Sequence, residues 1–95
     1  MISENEALSV AQEHLRKLEE KIKAPLQFVR RMDMPFGWVF FYNSAEFTKT
    51  GNVSSMLAGN APFLVSLEDG SLHTFGTARP IEVYLEQYAA QQRGD

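Results

Sequence analysis

The sequence predicts an α+β fold: a four-stranded antiparallel sheet with N- and C-terminal helices packed on one face, in the order α-β-β-loop-β-β-α. Three observations carry this. Apolar residues recur at three- and four-residue spacing near both ends of the chain, as in helices with one buried stripe. Between them lie short runs rich in aromatic and β-branched residues, the composition of strands. Turn signals at Met34-Pro35-Phe36-Gly37 and Asp69-Gly70 join these runs in pairs, and tight turns can join only antiparallel neighbours.

The elements follow in order. Ser3-Glu4-Asn5-Glu6 has the Ser-x-x-Glu form of a capping box, which satisfies two amides at a helix start. Ala7, Leu8, Ala11, Leu15, Leu18 and Ile22 then form one stripe, predicting a helix over about residues 4–22. Pro25 marks a boundary beyond its end. Leu26, Phe28, Arg30 and Met32 alternate with Gln27, Val29 and Arg31 as a strand with mixed faces. In the run Gly37–Asn43, Trp38, Phe40 and Tyr42 share one face and Val39 and Phe41 the other. Apolar residues on both faces predict a central strand. Pro62–Leu67 is the third strand, Glu68-Asp69-Gly70-Ser71 the turn, and Leu72–Phe75 the return strand. After Gly76-Thr77, Pro80 fits the first helical position. Ile81, Tyr84, Leu85 and Tyr88 give a second amphipathic helix to about residue 91. Without an internal repeat or linker, residues 1–95 read as one domain.

The chain is acidic overall, with a formal net charge of −3. Residues 1–31 hold six Lys/Arg against five Asp/Glu, and residues 32–95 hold three against seven. A nucleic-acid binder shows the opposite, a basic patch, so no nucleic-acid partner is expected. The acidic bias of the second part suits solubility or a basic protein surface. The longest apolar runs, Trp38–Tyr42 and Ala61–Val65, are far too short to span a bilayer, and no membrane partner is expected. There is no cysteine, which excludes disulfides, thiol catalysis and cysteine metal sites. A cytoplasmic location as a monomer or weak homodimer is compatible with all of this.

Chemistry is sparse. His14 lies at the margin of the first helical stripe and reads as a boundary packing residue; His73, on the return strand, reads as exposed. No His-Glu-x-x-His spacing is present, and no metal or cofactor is expected. No serine stands in a Gly-x-Ser-x-Gly elbow. The aromatic row Trp38, Phe40, Tyr42 could stack bases, but lacks basic neighbours, and reads as core under the helices. No catalytic residue is assigned, and an enzyme is not expected.

The unusual feature is the connection Thr48–Pro62, which fits neither a good helix nor a good strand. Long irregular connections in small domains are uncommon and tend to be functional. Phe47, Met56 and Leu57 are interleaved there with Glu46, Lys49, Asn52 and Ser55. Two readings stand side by side. The apolar members fold back to plug the core edge, through a helical turn at Ser54–Ala58, or some project as anchors with a polar rim.

Trp38 with Phe40 and Tyr42-Asn43, Gly59-Asn60-Ala61-Pro62, the strand through Val65, Asp69-Gly70, and Gly76-Thr77 before a final helix together resemble the bacterial immunity protein 35 family, which includes YrhB-like small proteins. The resemblance covers nearly the whole chain. It implies an α+β domain that works by binding: an immunity protein, or antitoxin, of a polymorphic toxin system, whose partner is a cognate protein toxin. Expected duties at the matching positions are structural. Gly59 and Gly76 permit tight turns, Asn60 bonds local backbone, and Pro62 stiffens the entry to the third strand. Toxin contacts are then expected between about Ser44 and Leu57, at Glu46, Phe47, Asn52, Ser55 and Met56. The alternative is a small chaperone-like holdase of the YrhB type, with a sizeable exposed apolar patch. A third is a hydrolase or transferase with the connection as lid, which requires a histidine beside a carboxylate in a cleft.

Overall fold

The computed structural model describes residues 1–52 and 61–94. Its elements are α1 (Glu4–Ile22), β1 (Leu26–Met34), β2 (Gly37–Ser44), α2 (Ala45–Thr50), β3 (Phe63–Ser66), β4 (Leu72–Thr74) and α3 (Ile81–Arg93). The strands form one antiparallel sheet in the order β1-β2-β3-β4. The α+β class and the predicted order of flanking helices and four strands hold.

The α1 capping box is present: Glu6 donates its amide to Ser3 Oγ at 3.1 Å, and Ser3 donates its own to Glu6 Oε1 at 3.0 Å. At the other end Lys23 adopts the left-handed conformation (φ 64°) and donates its amide to the Glu19 carbonyl. The Glu19 side chain then accepts the amide of Leu26 at 2.8 Å. One glutamate thus organises both limbs of the reversal from α1 into β1.

The helices do not share a face, which corrects the sequence-based expectation. On one face Ala7 and Ala11 of α1 pack against Leu26, Phe40, Tyr42, Phe63 and Val65. On the other, Leu85 and Tyr88 of α3 pack against Val39, Leu64 and Phe75. The reason lies in the pleat. Successive strand residues point to opposite faces, and all four residues of β3 are buried. A sheet covered on one face would leave Val39 and Leu64 in water, at about 1.5–3 kcal/mol each. Both are fully buried.

A bulge explains the mixed faces of β1. Phe28 pairs with Tyr42, but Arg30 pairs with Phe41, leaving Val29 as the extra residue. Leu26 and Phe28 therefore face α1, whereas Met32 and Met34 join the α3 side. A bulge reverses the alternation beyond it. Arg30 lies over the Phe41 ring, 5.1 Å from its centroid, a favourable cation–π geometry.

The β3–β4 hairpin is also longer than an Asp-Gly two-residue turn. Ser66 donates its amide to Ser71, and Gly70, at φ 74°, donates back to Ser66, both at 2.9 Å. Asp69 Oδ1 accepts the Ser71 amide at 3.0 Å. The Ser71 hydrogen bonds hold the Asp69 carboxyl below its usual range.

Candidate functional site

The start of the predicted irregular connection is ordered as a helix. Ser44 Oγ accepts the Phe47 amide at 3.0 Å and caps α2. Its two threonines, poor helix formers, return hydroxyl bonds within the helix: Thr48 to the Ser44 carbonyl at 2.9 Å and Thr50 to the Glu46 carbonyl at 2.8 Å. Gly51, at φ 71°, ends the helix by donating to the Phe47 carbonyl. Glu46 in the first turn and Lys49 in the last match the helix dipole. The reading of Thr48–Thr50 as irregular is thereby corrected. Six residues are too few to show a helical period, and Thr is uninformative when its hydroxyl can bond back.

The sheet fixes where α2 stands. The Ala45 amide donates to the Pro25 carbonyl at 3.0 Å, and Ser44 pairs with Leu26. The helix is thus held at the end of β1 and β2 where α1 turns into the sheet. Glu46 is exposed, Phe47 is half-buried, and Asn52 is exposed with its amide donated to Thr50 Oγ1 at 3.1 Å. These three predicted contact residues lie together on α2 and the step after it. Ser55 and Met56 lie outside the described residues, as do the proposed turn at Ser54–Ala58, Leu57, Gly59 and Asn60. Phe47 is neither plug nor free anchor alone: most of it is covered and a part stays open to solvent.

Charge does not single out α2, which carries one acid and one base. The acidic bias sits elsewhere, on exposed Glu68 and Asp69 at the hairpin and exposed Glu82 and Glu86 on α3.

The histidines occupy opposite faces. The His14 ring stands edge-on to Phe63, with centroids 4.6 Å apart. It lines a groove of about 340 Å³ with Val10, Glu13, Lys17 and Leu72. Glu13 is engaged by Arg16. His73, half-buried rather than exposed, contacts Ser71 Oγ at 3.2 Å and the Tyr88 ring at 5.0 Å. No carboxylate lines its depression among the described residues. The two rings stand on opposite faces and cannot act together. Among the described residues the carboxylates near them are taken up elsewhere, Glu13 by Arg16 and Asp69 by the Ser71 amide. Neither ring therefore forms the cleft-bound histidine–acid couple that the lid-enzyme reading requires. Among the described residues no three His, Cys, Asp or Glu side chains cluster as a metal site. Among the described residues no helix is long and apolar enough to cross a membrane.

Burial against Phe63 lowers the pKa of His14, and Lys17 adds to this. Folding therefore favours the neutral ring. Stability from this group is full above the ordinary histidine value, near 6.5, and is lost as pH falls toward the depressed folded value, where the unfolded chain binds the extra proton. Denaturation midpoints should fall between about pH 7 and pH 5, and the slope should flatten in His14→Leu. An identical slope in that variant would assign the effect to another group.

Trp38, Phe40 and Tyr42 lie on the α1 face, with Phe40 and Tyr42 buried and Trp38 half-buried. The row is core, not a stacking platform. Gly76 is a close-approach position and not a left-handed turn. A Cβ there would lie 2.6 Å from the Tyr84 hydroxyl.

Comparison with known proteins places this architecture. "Uncharacterized protein YrhB" of Escherichia coli (strain K12) is 46% identical over 52 residues, 55% of this chain and 55% of the relative. The aligned part thus spans about half the length of that curated relative. No solved structure matches. The family described as Immunity protein 35 matches residues 5–91. Since that match runs from the first turn of α1 to the last turn of α3, the chain belongs to the immunity protein 35 family.

Proposed function

We propose that this protein is an antitoxin that binds and neutralises a cognate toxin of a polymorphic toxin system, in the cytoplasm and without chemistry of its own. The observation that carries the reading is the family match over residues 5–91, a family named for immunity proteins. The geometry supports it. A short capped helix, tied to the sheet through Ala45 and Pro25, presents Glu46 and part of Phe47 on a rigid mount. Contacts that need no reorganisation bind at lower entropic cost.

Glu46, Phe47 and Asn52, continued by Ser55 and Met56, form the proposed contact surface. An aromatic ring ringed by polar residues is the usual form of an interface hot spot. The exposed large apolar side chains among the described residues are Met1, Ile22, Val29 and Leu72. They sit on separate elements, and the described residues supply no observation that favours the holdase alternative over the antitoxin reading.

The test is co-expression with the adjacently encoded toxin. The wild-type protein should restore growth, and unchanged killing removes the antitoxin reading. Phe47→Ala combined with Glu46→Lys should weaken toxin binding about 30-fold or more, the loss of a 2 kcal/mol hot spot. A folded double variant that binds at wild-type strength would move the interface away from α2.

A further inference from the structure

Among the described residues β1 pairs only with β2, so its outer side is an open edge. A long open edge invites another strand unless something blocks it. Here the bulge at Val29 and the turn at Pro35–Phe36 bound a regular segment, Arg30-Arg31-Met32-Asp33-Met34. That segment has a property its composition alone does not show.

The turn Pro35–Phe36 closes on the Met34–Gly37 pair. Bonded and non-bonded pairs alternate along an antiparallel ladder. Met34, Met32 and Arg30 therefore direct their backbone groups to β2, and Arg31 and Asp33 direct theirs outward. Antiparallel pairing with a second copy must match these outward residues to each other. Three registers do so. One sets Arg31 against Arg31, and one sets Asp33 against Asp33. The third, centred on Met32, sets Arg31 against Asp33 of the second copy, twice. Like charges directly opposite destabilise a sheet and unlike charges stabilise it, so charge selects the third register alone.

We infer that β1 is a self-association edge: two copies pair antiparallel about a two-fold axis at Met32, joining their sheets into one of eight strands. The inference is independent of the toxin reading and needs no toxin for its test. In the pair each Arg31 stands among three carboxylates, the third being Asp33 of the second copy. Its own Asp33 lies 2.8 Å away, on the face where Arg31 also meets Glu4 at 2.8 Å. On the other face Met32 meets Met32, and Arg30, seated on Phe41, lies opposite Met34. Met32 and Met34 are half-buried in the single chain, and pairing covers them further. The contact is isologous, as two-fold dimers require. It spans five residues and lies well below a standard stable interface, so the dimer forms only at high concentration.

Sedimentation velocity of the whole chain at rising concentration and low salt tests this. The wild type should pass from monomer to dimer. Arg31→Asp and Asp33→Arg, alone, should each weaken self-association about tenfold or more, because like charges then face each other twice. Mixed in equal amounts, the two variants should recover association as a 1:1 heterodimer. The chain carrying both changes should dimerise like the wild type, which keeps the test intact if Arg31→Asp alone fails to fold. A wild type that stays monomeric throughout overturns the inference, leaving the edge to a strand of another protein. So does self-association of Asp33→Arg at wild-type strength, or a mixture that does not associate.

Discussion

Gly37→Ala should destabilise the fold by about 3–4 kcal/mol, from overpacking against backbone together with a strained φ. Gly37 opens β2 at φ 156°, and a Cβ there would lie 2.3 Å from the Val65 carbonyl oxygen and 3.1 Å from Leu64 Cδ1. The oxygen is main chain and cannot swing aside. Moving it means breaking the pairing of Gly37 with Ser66 and of Trp38 with Val65, in the centre of the sheet. The Leu67 amide bonded to the Phe36 carbonyl at 2.9 Å pins the same junction from the turn. For a domain of this size the melting midpoint should drop by about 15–25 °C. Gly51→Ala is the control. Gly51 is also left-handed, at φ 71°, but among the described residues nothing lies within 4 Å of its Cβ position. It should cost only about 1 kcal/mol of backbone strain. Equal losses in the two variants, read by chemical denaturation, would refute the close approach at Gly37.

That junction shows what was legible in the sequence and what was not. Pro35-Phe36-Gly37 announces a turn, but no local signal reveals that Gly37 must let Val65 come close; that is a contact between distant segments. The α1 boundaries were readable because Ser3-x-x-Glu6 and the apolar stripe are local. The face occupied by α3 was also implicit, since Val39 and Phe41 are apolar on the side opposite Phe40. A strand greasy on both sides needs cover on both sides, and economy of layers was the wrong guide. The bulge at Val29 left a trace as mixed faces in β1, yet only pairing with β2 shows which residue is extra. At the candidate site, Ser44 was the missed signal. It is followed by Ala45 and Glu46, a reasonable helix start, but the threonines that follow argue against a helix until their hydroxyls find carbonyls four residues back. Glu46, Phe47 and Asn52 are proposed contacts that read as near neighbours in sequence. That α2 and the step after it stand beside the α1–β1 reversal follows from the Ala45–Pro25 hydrogen bond, which composition cannot encode.

Phe63→Ala should cost about 3–5 kcal/mol, the range for deleting a buried phenyl ring. Phe63 is fully buried on an interior strand. Its ring meets Phe40 at 5.6 Å, Phe28 at 6.2 Å, Tyr42 at 6.3 Å and the edge of His14 at 4.6 Å. Four elements converge on it: α1, β1, β2 and its own strand. The cavity left by alanine cannot close readily, because the strands are fixed by their ladders and Ala7 and Ala11 bring α1 against the sheet through side chains too small to fill the gap. With total stability of about 5–15 kcal/mol for such domains, the variant should be partly unfolded at physiological temperature. A second readout separates this site from the opposite face. Burial, to which the Phe63 ring contributes, depresses the His14 pKa together with Lys17, so at low temperature, where the variant is still folded, NMR titration should find that pKa moved up toward its ordinary value. Leu64→Ala, one residue on but beneath α3, should destabilise by about 2–5 kcal/mol and leave His14 where it was. If both variants shift His14 alike, or Phe63→Ala costs less than about 1 kcal/mol, then α1 does not rest on Phe63 and the two-faced core is wrong.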